Sequence, residues 1–380
     1  MTAVTLHSLA ETTALVRDTA VPVVDYGVAH RGVGHAPPPG ERVEVAVAGG
    51  VIEHHAEDFA VRVAAGTAMG PLQRTLAEAG QFLPIDADED VTVGEVIVHH
   101  VWGPLRVGFG SVRELLLGLA YVDGGGSVVR VGGRTVKNVA GLDVTRLMVG
   151  SLGELGLIVE ATLRTYALPA AALAVDVALA DPAALDARMT ALLCSDAAPA
   201  RLELEHRGGW VARLAYLGDN PACAGQVQAL EQFIGTVAGA EVAGTAELPV
   251  LDYLAQRQAA GAWRRQRNTV AKLTVPPAST AATAAALRQR WPALEATAAP
   301  AHGQVFVGGD LDTHDAERLD VAIREAMGGV GGIVVWHARP AGAAIEPFWP
   351  GPGDMGLLRR LKPAMDPRGV LNPGRMILMP

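Results

Sequence analysis

Residues 150–160 read Gly-Ser-Leu-Gly-Glu-Leu-Gly-Leu-Ile-Val-Glu, and this stretch decides how the first half of the chain is interpreted. Its glycines stand at every third position and run directly into an apolar strand predicted over Leu157–Leu163. A dinucleotide-binding glycine motif has the opposite order, because it follows a strand and opens a helix. The stretch therefore argues against a nicotinamide Rossmann site.

Glycine-rich stretches recur on both sides of this motif. Residues 132–146 read Gly-Gly-Arg-Thr-Val-Lys-Asn-Val-Ala-Gly-Leu-Asp-Val-Thr-Arg, and glycines also punctuate residues 92–113. A further loop, residues 27–34, follows a buried strand predicted over Val21–Val24. Glycines in such loops let backbone N–H groups turn inward around a pyrophosphate. The tail, residues 361–374, closes with Asp-Pro-Arg-Gly-Val-Leu-Asn-Pro-Gly.

Taken together, these separated motifs resemble, in order and spacing, those of bacterial glycolate oxidase E subunits. That family has the vanillyl-alcohol-oxidase-like, PCMH-type flavoprotein fold. The resemblance covers the first half of the chain and about its last twenty residues. It implies an α+β fold with two α+β subdomains around FAD, and a ferredoxin-like α+β cap domain.

The resemblance also implies which residues approach the cofactor. Asp143 could instead be the N-cap of a helix over residues 144–149. Asn372 could instead shape the turn before Pro373. No metal ligand and no catalytic residue is assigned. The residues assigned to FAD binding are Gly27, Val28, Ala29, His30, Arg31, Gly32, Gly34, Val93, Gly94, Val98, Gly103, Pro104, Gly108, Gly110, Lys137, Asn138, Gly141, Asp143, Gly153, Gly156, Ile158 and Asn372.

Several positions depart from the family pattern and support an alternative. Val28-Ala29 replaces two glycines, Glu95 replaces the second glycine of a pair, and Trp102 replaces a small residue. A β-branched residue resists positive φ, and a carboxylate near a pyrophosphate is repulsive. The alternative is a docking subunit of the same complex with a degenerate or empty flavin site.

Two adjacent histidines, His99 and His100, lie within the glycine-punctuated segment of residues 92–113. His99-His100 could stack on a flavin, or bind a metal together with His54-His55. Neighbours on a strand face opposite ways, which disfavours joint chelation and favours a role at the edge of the core.

The chain divides into three segments by its sequence pattern. Residues 1–170 form the predicted FAD domain, residues 171–346 the cap, and residues 347–380 return to the FAD domain. The cap begins with a β-α-β-β-α series typical of a ferredoxin-like sandwich, and a second, weaker round follows. Within the first segment, residues 43–47 and 51–54 alternate like a hairpin around Gly49-Gly50, and residues 91–110 are predicted as a loop.

Composition limits the classes of function. The formal charge of −9 argues against nucleic acid as a partner, and two cysteines are too few for an iron–sulfur cluster. No secretory leader or stretch of about 18 apolar residues is found, so we expect a cytoplasmic protein, membrane-associated only through partners.

The resemblance implies a flavoprotein subunit that oxidises a small 2-hydroxy acid such as glycolate or D-lactate. Its implied partners are a D-type flavoprotein subunit and an iron–sulfur subunit that takes the electrons. The histidine-rich segment of related catalytic dehydrogenases has no counterpart between residues 170 and 350. A stand-alone flavin oxidase is a third possibility, and it would show activity without partners.

Overall fold

A computed structural model describes residues 2–24, 33–35, 40–133, 143–206, 208–349 and 355–376. The chain divides into two compact units. The first contains residues 1–102, 110–168 and 351–380, and the second contains residues 103–109 and 169–350. Residues 103–109, which the sequence placed with the FAD domain, thus lie in the second unit. Among the described residues, no helix is both long and apolar enough to cross a bilayer.

Short strands and helices alternate as far as residue 168. Helix α1 is capped by Ser8, whose side chain accepts a hydrogen bond from the backbone N–H of Glu11. The sequence predicts a helix over residues 9–17 and another over residues 69–79, and the structure confirms both within one residue. In chain order the elements are β1 (Thr2–Leu6), α1 (Leu9–Asp18), β2 (Val23–Val24), β3 (Val43–Val47), β4 (Val51–His55), β5 (Ala60–Ala64), α2 (Met69–Glu78), β6 (Gln81–Phe82), α3 (Val93–Val98), α4 (Arg106–Phe109), α5 (Val112–Leu115), β7 (Leu116–Val122), β8 (Val128–Gly132), α6 (Val144–Met148), β9 (Leu157–Arg164) and β10 (Tyr166–Ala167).

The first unit is built on two main sheets. Strands β1, β3 and β2 form a parallel sheet in that order. Strands β4, β5, β9, β7 and β8 form an antiparallel sheet in that order. The apolar faces of α2, α3 and the five-stranded sheet share one core, which includes Leu72, Ile97 and Ala161.

The predicted hairpin of β3 and β4 is wrong. Strand β3 pairs only with β1 and β2, whereas β4 pairs with β5 in the other sheet. The chain crosses between sheets at Gly49-Gly50, where the N–H of Gly50 donates to Thr67 Oγ1 at 2.9 Å. An added Cβ on Gly49 would stand 2.8 Å from the carbonyl oxygen of Gly66. Alternation of apolar residues shows that two segments are strands, but it does not choose their partners.

The second unit repeats one motif twice. Each repeat has the order β-α-β-β-α-β, and two strands that the sequence had not predicted, β14 and β16, complete the pattern. Strand β14 is mostly exposed, so it lacks the apolar alternation that marks a strand. The elements are β11 (Ala171–Leu179), α7 (Ala183–Leu193), β12 (Arg201–His206), β13 (Trp210–Gly218), α8 (Asn220–Ile234), β14 (Ala240–Leu248), α9 (Val250–Gly261), α10 (Trp263–Gln266), β15 (Thr269–Thr274), α11 (Thr280–Arg290), β16 (Glu295–Ala299), β17 (Gln304–Gly309), α12 (Thr313–Val330), β18 (Ile333–Ala338), β19 (Phe348–Trp349) and, in the first unit, α13 (Met355–Met365).

The two repeats share a single nine-stranded sheet. Its order is β14-β11-β13-β12-β16-β17-β15-β18-β19. The halves meet where β12 pairs antiparallel with β16, with Leu204 opposite Ala298. Helices α7, α8, α11 and α12 pack on one face through residues such as Leu192, Leu230 and Leu319. The predicted ferredoxin-like cap is therefore confirmed, in a doubled form whose other sheet face carries polar residues.

Candidate functional site

The motif at residues 150–156 forms a tight loop in the first unit. Its backbone has positive φ at Gly150 (82°), Leu152 (51°) and Gly153 (73°), a conformation that favours glycine. The N–H groups of Gly150 and Leu152 donate to the carbonyls of Ile97 and Val98 at 3.0 and 2.9 Å. The loop is therefore fastened to the end of α3.

Helix α3 lies where the sequence predicted a loop, so that prediction is wrong. The Thr92 side chain accepts from the N–H of Glu95 at 3.2 Å, and the Glu95 carboxylate accepts from the N–H of Thr92 at 2.8 Å. This capping box satisfies two N–H groups that a helix start leaves unpaired. Gly94 packs on the turn after β5, because an added Cβ would stand 3.2 Å from the carbonyl oxygen of Ala65.

The capping box also corrects the interpretation of Glu95. Its carboxylate was expected to repel a pyrophosphate unless it pointed away. It is buried and bound to the backbone of its own helix. The glutamate at this position therefore has a structural role as part of the cap of α3.

The histidine pair follows the same helix and is not on a strand, contrary to our expectation. His99 is the C-cap of α3, and His100 adopts positive φ (49°). In the pair considered with it, His54 Nε2 lies 3.0 Å from Gln81 Oε1, and His55 Nε2 lies 3.1 Å from Glu53 Oε2. The His54 and His55 rings are therefore already engaged by protein groups.

The tail is locked onto the 150–156 loop. Lys362 is buried, and its Nζ donates to the carbonyls of Glu154 and Leu371 and to Asp366 Oδ2, at 2.6–2.7 Å. Asp366 also accepts from the N–H groups of residues 370 and 371. Asn372 (φ 40°) donates its side-chain amide to the carbonyl of Leu152 at 2.9 Å. We call Lys362, Asp366 and Asn372 the tail clasp.

Residues 33–35 are held by the same tail. The N–H of His35 donates to the carbonyl of Arg375 at 3.1 Å. An added Cβ on Gly34 (φ 83°) would stand 2.6 Å from that carbonyl oxygen and 3.3 Å from Leu152 Cδ1. The end of the first glycine loop, α3, the 150–156 loop and the tail are thus interlocked.

Two buried polar atoms lie within this arrangement. Ser151 Oγ and Glu154 Oε2 have no hydrogen-bond partner among the described residues. The other Glu154 oxygen accepts from the N–H of Met376. Burial raises the pKa of the Glu154 carboxyl, although its backbone bonds and Lys362 oppose the shift. Buried polar atoms without partners are unusual and are often satisfied by a ligand or a water molecule.

The remaining assigned residues divide into three groups. Gly27, Val28, Ala29, His30, Arg31, Gly32, Lys137, Asn138 and Gly141 lie outside the described residues. Gly103, Pro104 and Gly108 belong to the second unit, where the missing side chain of Gly108 allows close packing on Ala200. In the first unit, Gly110 has positive φ, Val93, Val98 and Ile158 are core residues, and Gly156 packs on Tyr121 and Met148.

Asp143 is the N-cap of a helix. Its carboxylate accepts from the N–H of Arg146 at 3.2 Å and caps α6, as the alternative predicted. Asn372 lies in the turn with positive φ and binds the motif loop, whereas its contact with a flavin stays a prediction. The sequence missed Ser151, Glu154 and Lys362 as members of the site, although two of them lie inside the quoted motif.

The face of the cap sheet opposite helices α7, α8, α11 and α12 carries a second polar cluster. Glu203 on β12 binds Arg201, Arg257 and Arg264 at 3.0, 2.7 and 3.2 Å. Burial raises the pKa of Glu203, but the three arginines outweigh it and lower the pKa to about 2. Arg257 also binds Glu205. Helices α9 and α10 are thereby attached to this face of the sheet.

Comparison with known proteins identifies a matching family model and several similar proteins. Residues 2–132 match the family model of an FAD binding domain. Glycolate oxidase subunit GlcE of Escherichia coli (strain K12) is 34% identical over 140 residues, 36% of this chain and 40% of that protein. The mitochondrial D-lactate dehydrogenase [cytochrome] of Arabidopsis thaliana is 36% identical over 151 residues, 39% of this chain and 27% of that protein.

The matches cover less than half of these relatives. Glycolate oxidase subunit GlcD of Bacillus subtilis (strain 168) is 32% identical over 31% of this chain and 26% of its own length. A solved structure of alkyldihydroxyacetonephosphate synthase superposes with a TM-score of 0.73 at 15% identity, covering 98% of this chain and 76% of that one. That likeness concerns the fold. Residues 2–132 therefore match an FAD binding domain, and the chain is similar to glycolate oxidase subunits and D-lactate dehydrogenases.

Proposed function

We propose that this chain is the FAD-binding subunit of a complex that oxidises a small 2-hydroxy acid, of the glycolate or D-lactate type. Electrons would pass to a separate iron–sulfur subunit, and a D-type flavoprotein would complete the complex. The observation that carries the proposal is the interlocking of four glycine-containing segments in the unit that matches an FAD binding domain. Such segments let a backbone approach a dinucleotide closely.

The residues present fit FAD. Ser151 Oγ offers a buried donor and acceptor, and Glu154 Oε2 a buried acceptor, neither used by the described protein groups. A dinucleotide carries ribose and ribityl hydroxyls that need such partners. We infer that Ser151, Glu154 and the backbone of residues 153–158 hold the cofactor. When bound, FAD supplies an acceptor for the hydride that leaves the hydroxyl-bearing carbon of the acid.

The relatives support the substrate class. Those similar to this chain include glycolate oxidase subunits, D-lactate dehydrogenases and D-2-hydroxyglutarate dehydrogenases, all named for 2-hydroxy acids. The two cysteines, Cys194 and Cys223, are too few to supply the four thiolates of a cluster, which favours a separate iron–sulfur partner.

The first test is the absorption spectrum of the purified chain, alone and with its co-expressed partners. We expect a flavin spectrum with about one FAD per chain, and bleaching by glycolate or D-lactate in the complex. A colourless chain that takes up no added FAD would refute the proposal and would support the docking-subunit alternative. Activity of the chain without partners would support a stand-alone oxidase instead.

A matched pair of serine variants tests the residues. Ser151→Ala removes a hydroxyl with no partner among the described groups, so folding should be preserved while FAD affinity falls about tenfold, the equivalent of one hydrogen bond. Ser111→Ala removes the N-cap of α5, so it should lower stability by about 1 kcal/mol and leave FAD affinity unchanged. Equal FAD affinity in both variants would contradict the assignment of Ser151.

A further inference from the structure

Leu152, in the middle of the 150–156 loop, has a backbone conformation that few residues other than glycine adopt. Its φ is 51°, and the next residue, Gly153, has φ 73°. Glycine tolerates positive φ, whereas the Cβ of leucine comes too close to the following carbonyl oxygen. The loop is therefore strained at Leu152, and contacts from outside the loop must stabilise this conformation.

The tail supplies such contacts on both sides of Gly153. The side-chain amide of Asn372 donates to the carbonyl of Leu152 at 2.9 Å, and Lys362 Nζ donates to the carbonyl of Glu154 at 2.7 Å. Both donors belong to buried side chains, so water does not compete for these carbonyls. The tail clasp thus holds the strained part of the loop at two carbonyls that are two residues apart.

Glu154 connects the tail with the two buried atoms that we assign to the cofactor. One oxygen of its carboxylate accepts from the N–H of Met376, at the end of the tail. Its other oxygen, Oε2, is buried and has no partner among the described groups, and the same is true of Ser151 Oγ in the same loop. The positions of both atoms therefore depend on the loop conformation that the tail stabilises.

The tail also holds the end of the first glycine loop. The carbonyl of Arg375 accepts from the N–H of His35 at 3.1 Å. Gly34 packs so closely on this carbonyl that an added Cβ would stand 2.6 Å from its oxygen. Opening of the tail would thus release two glycine-containing segments of the candidate site at once.

We propose that Lys362 and Asn372 are positioning residues for the FAD site, and that the site holds FAD only while the tail is docked on the 150–156 loop. This inference rests on the proposed function above. Docking of the tail and binding of the cofactor are then linked, so that bound FAD keeps the tail closed and opening of the tail releases FAD. A ligand that binds one of two states stabilises that state by mass action.

Hydrogen exchange of the full chain, freed of flavin and then titrated with FAD, tests the linkage. The amides of residues 370–372 and 376 donate hydrogen bonds within the docked tail or from the tail to the rest of the first unit. Their exchange should slow in proportion to the FAD concentration above its Kd, about a hundredfold at about 100 times Kd. The amides of α12, in the second unit, should exchange at an unchanged rate.

A matched pair of asparagine variants tests the positioning role. Asn372→Gly keeps the turn, because glycine tolerates a φ of 40°, but it removes the amide that holds the carbonyl of Leu152. FAD affinity should fall about tenfold, the effect of one hydrogen bond, and the visible circular dichroism of the bound flavin should change. Asn268→Gly removes an exposed amide that donates to the carbonyl of Leu311 at 2.9 Å in the second unit, and both readouts should stay native.

The outcomes separate this inference from the proposed function. A chain with a flavin spectrum whose tail exchanges at the same rate at every FAD concentration would overturn the linkage alone. A colourless chain that takes up no FAD would refute the proposed function and the linkage with it. Equal FAD affinity in Asn372→Gly and Asn268→Gly would overturn the positioning role of Asn372. If Asn372→Gly fails to fold, the exchange experiment on the native chain still decides the linkage.

Discussion

Substitution of Lys362 by Met should release the tail from the first unit. The change keeps most of the side-chain volume but removes the ammonium group. All three N–H donors of Lys362 are used, on Asp366 and on the carbonyls of Glu154 and Leu371. Lys362 and Asp366 have side chains 2% and 0% exposed, so water cannot replace the lost partner.

The size of the effect follows from this burial. Removing one partner of a buried ion pair costs about 3–5 kcal/mol, because the other charge stays buried without compensation. Asp366 retains two backbone donors, from residues 370 and 371, which places the expected cost near the lower end, about 3 kcal/mol. A cost of that size corresponds to roughly a hundredfold increase in local opening.

Hydrogen exchange of the tail measures this opening directly. Amide protection of residues 369–372 should fall about a hundredfold in Lys362→Met, while protection of β15 in the other unit should not change. The control is Arg74→Met, which removes an exposed pair with Glu89 at 3.6 Å and should cost less than about 1 kcal/mol. Equal tail protection in both variants would refute the role of the tail clasp.

Three further predictions concern single contacts. Thr92→Ala should lower stability by about 1 kcal/mol in thermal unfolding, because it removes the capping box with Glu95, and an unchanged melting temperature would contradict that role. Gly156→Ala should destabilise the first unit by about 1–3 kcal/mol through overpacking, since an added Cβ would stand 2.5 Å from the ring of Tyr121; a neutral effect in denaturant unfolding would contradict that packing. Glu203 has a pKa lowered to about 2, so its stabilising contribution is present above its ordinary pKa of 4.5 and is lost as the pH falls towards 2. Melting temperature measured against pH should therefore fall more steeply below pH 4.5 in the native chain than in Glu203→Gln, and equal slopes would count against the prediction.

Local sequence determined most of the elements and the class of fold. The motif at residues 150–160 identified a flavoprotein-type glycine loop before a strand, and the structure has that strand at Leu157–Arg164. The sequence also predicts a final helix over residues 355–365, and helix α13 has these bounds. The cap series was also recognisable, because its helices and inner strands have clear apolar periodicity. Asp143 as a helix cap followed from residue type and position alone.

Only the tertiary structure decided which distant segments of the chain pair with each other. Strands β3 and β4 have the pattern of a hairpin, yet they join different sheets, since alternation does not encode which edge a strand finds. The cap has a single sheet of two repeats because β12 meets β16 across about 90 residues of chain. Residue type alone does not reveal such a pairing.

In the candidate site, too, some features are visible in the sequence and others only in the tertiary structure. The glycines of the motif were visible in the sequence, but their fastening to α3 and to the tail was not. Lys362 lies on a regular helix, and nothing local marks it as the centre of the tail clasp. Its ammonium is neutralised by Asp366 and also donates to the carbonyls of Glu154 and Leu371. The partners of a buried charge are residues that folding brings close in space, and this is why only the tertiary structure decided the role of Lys362.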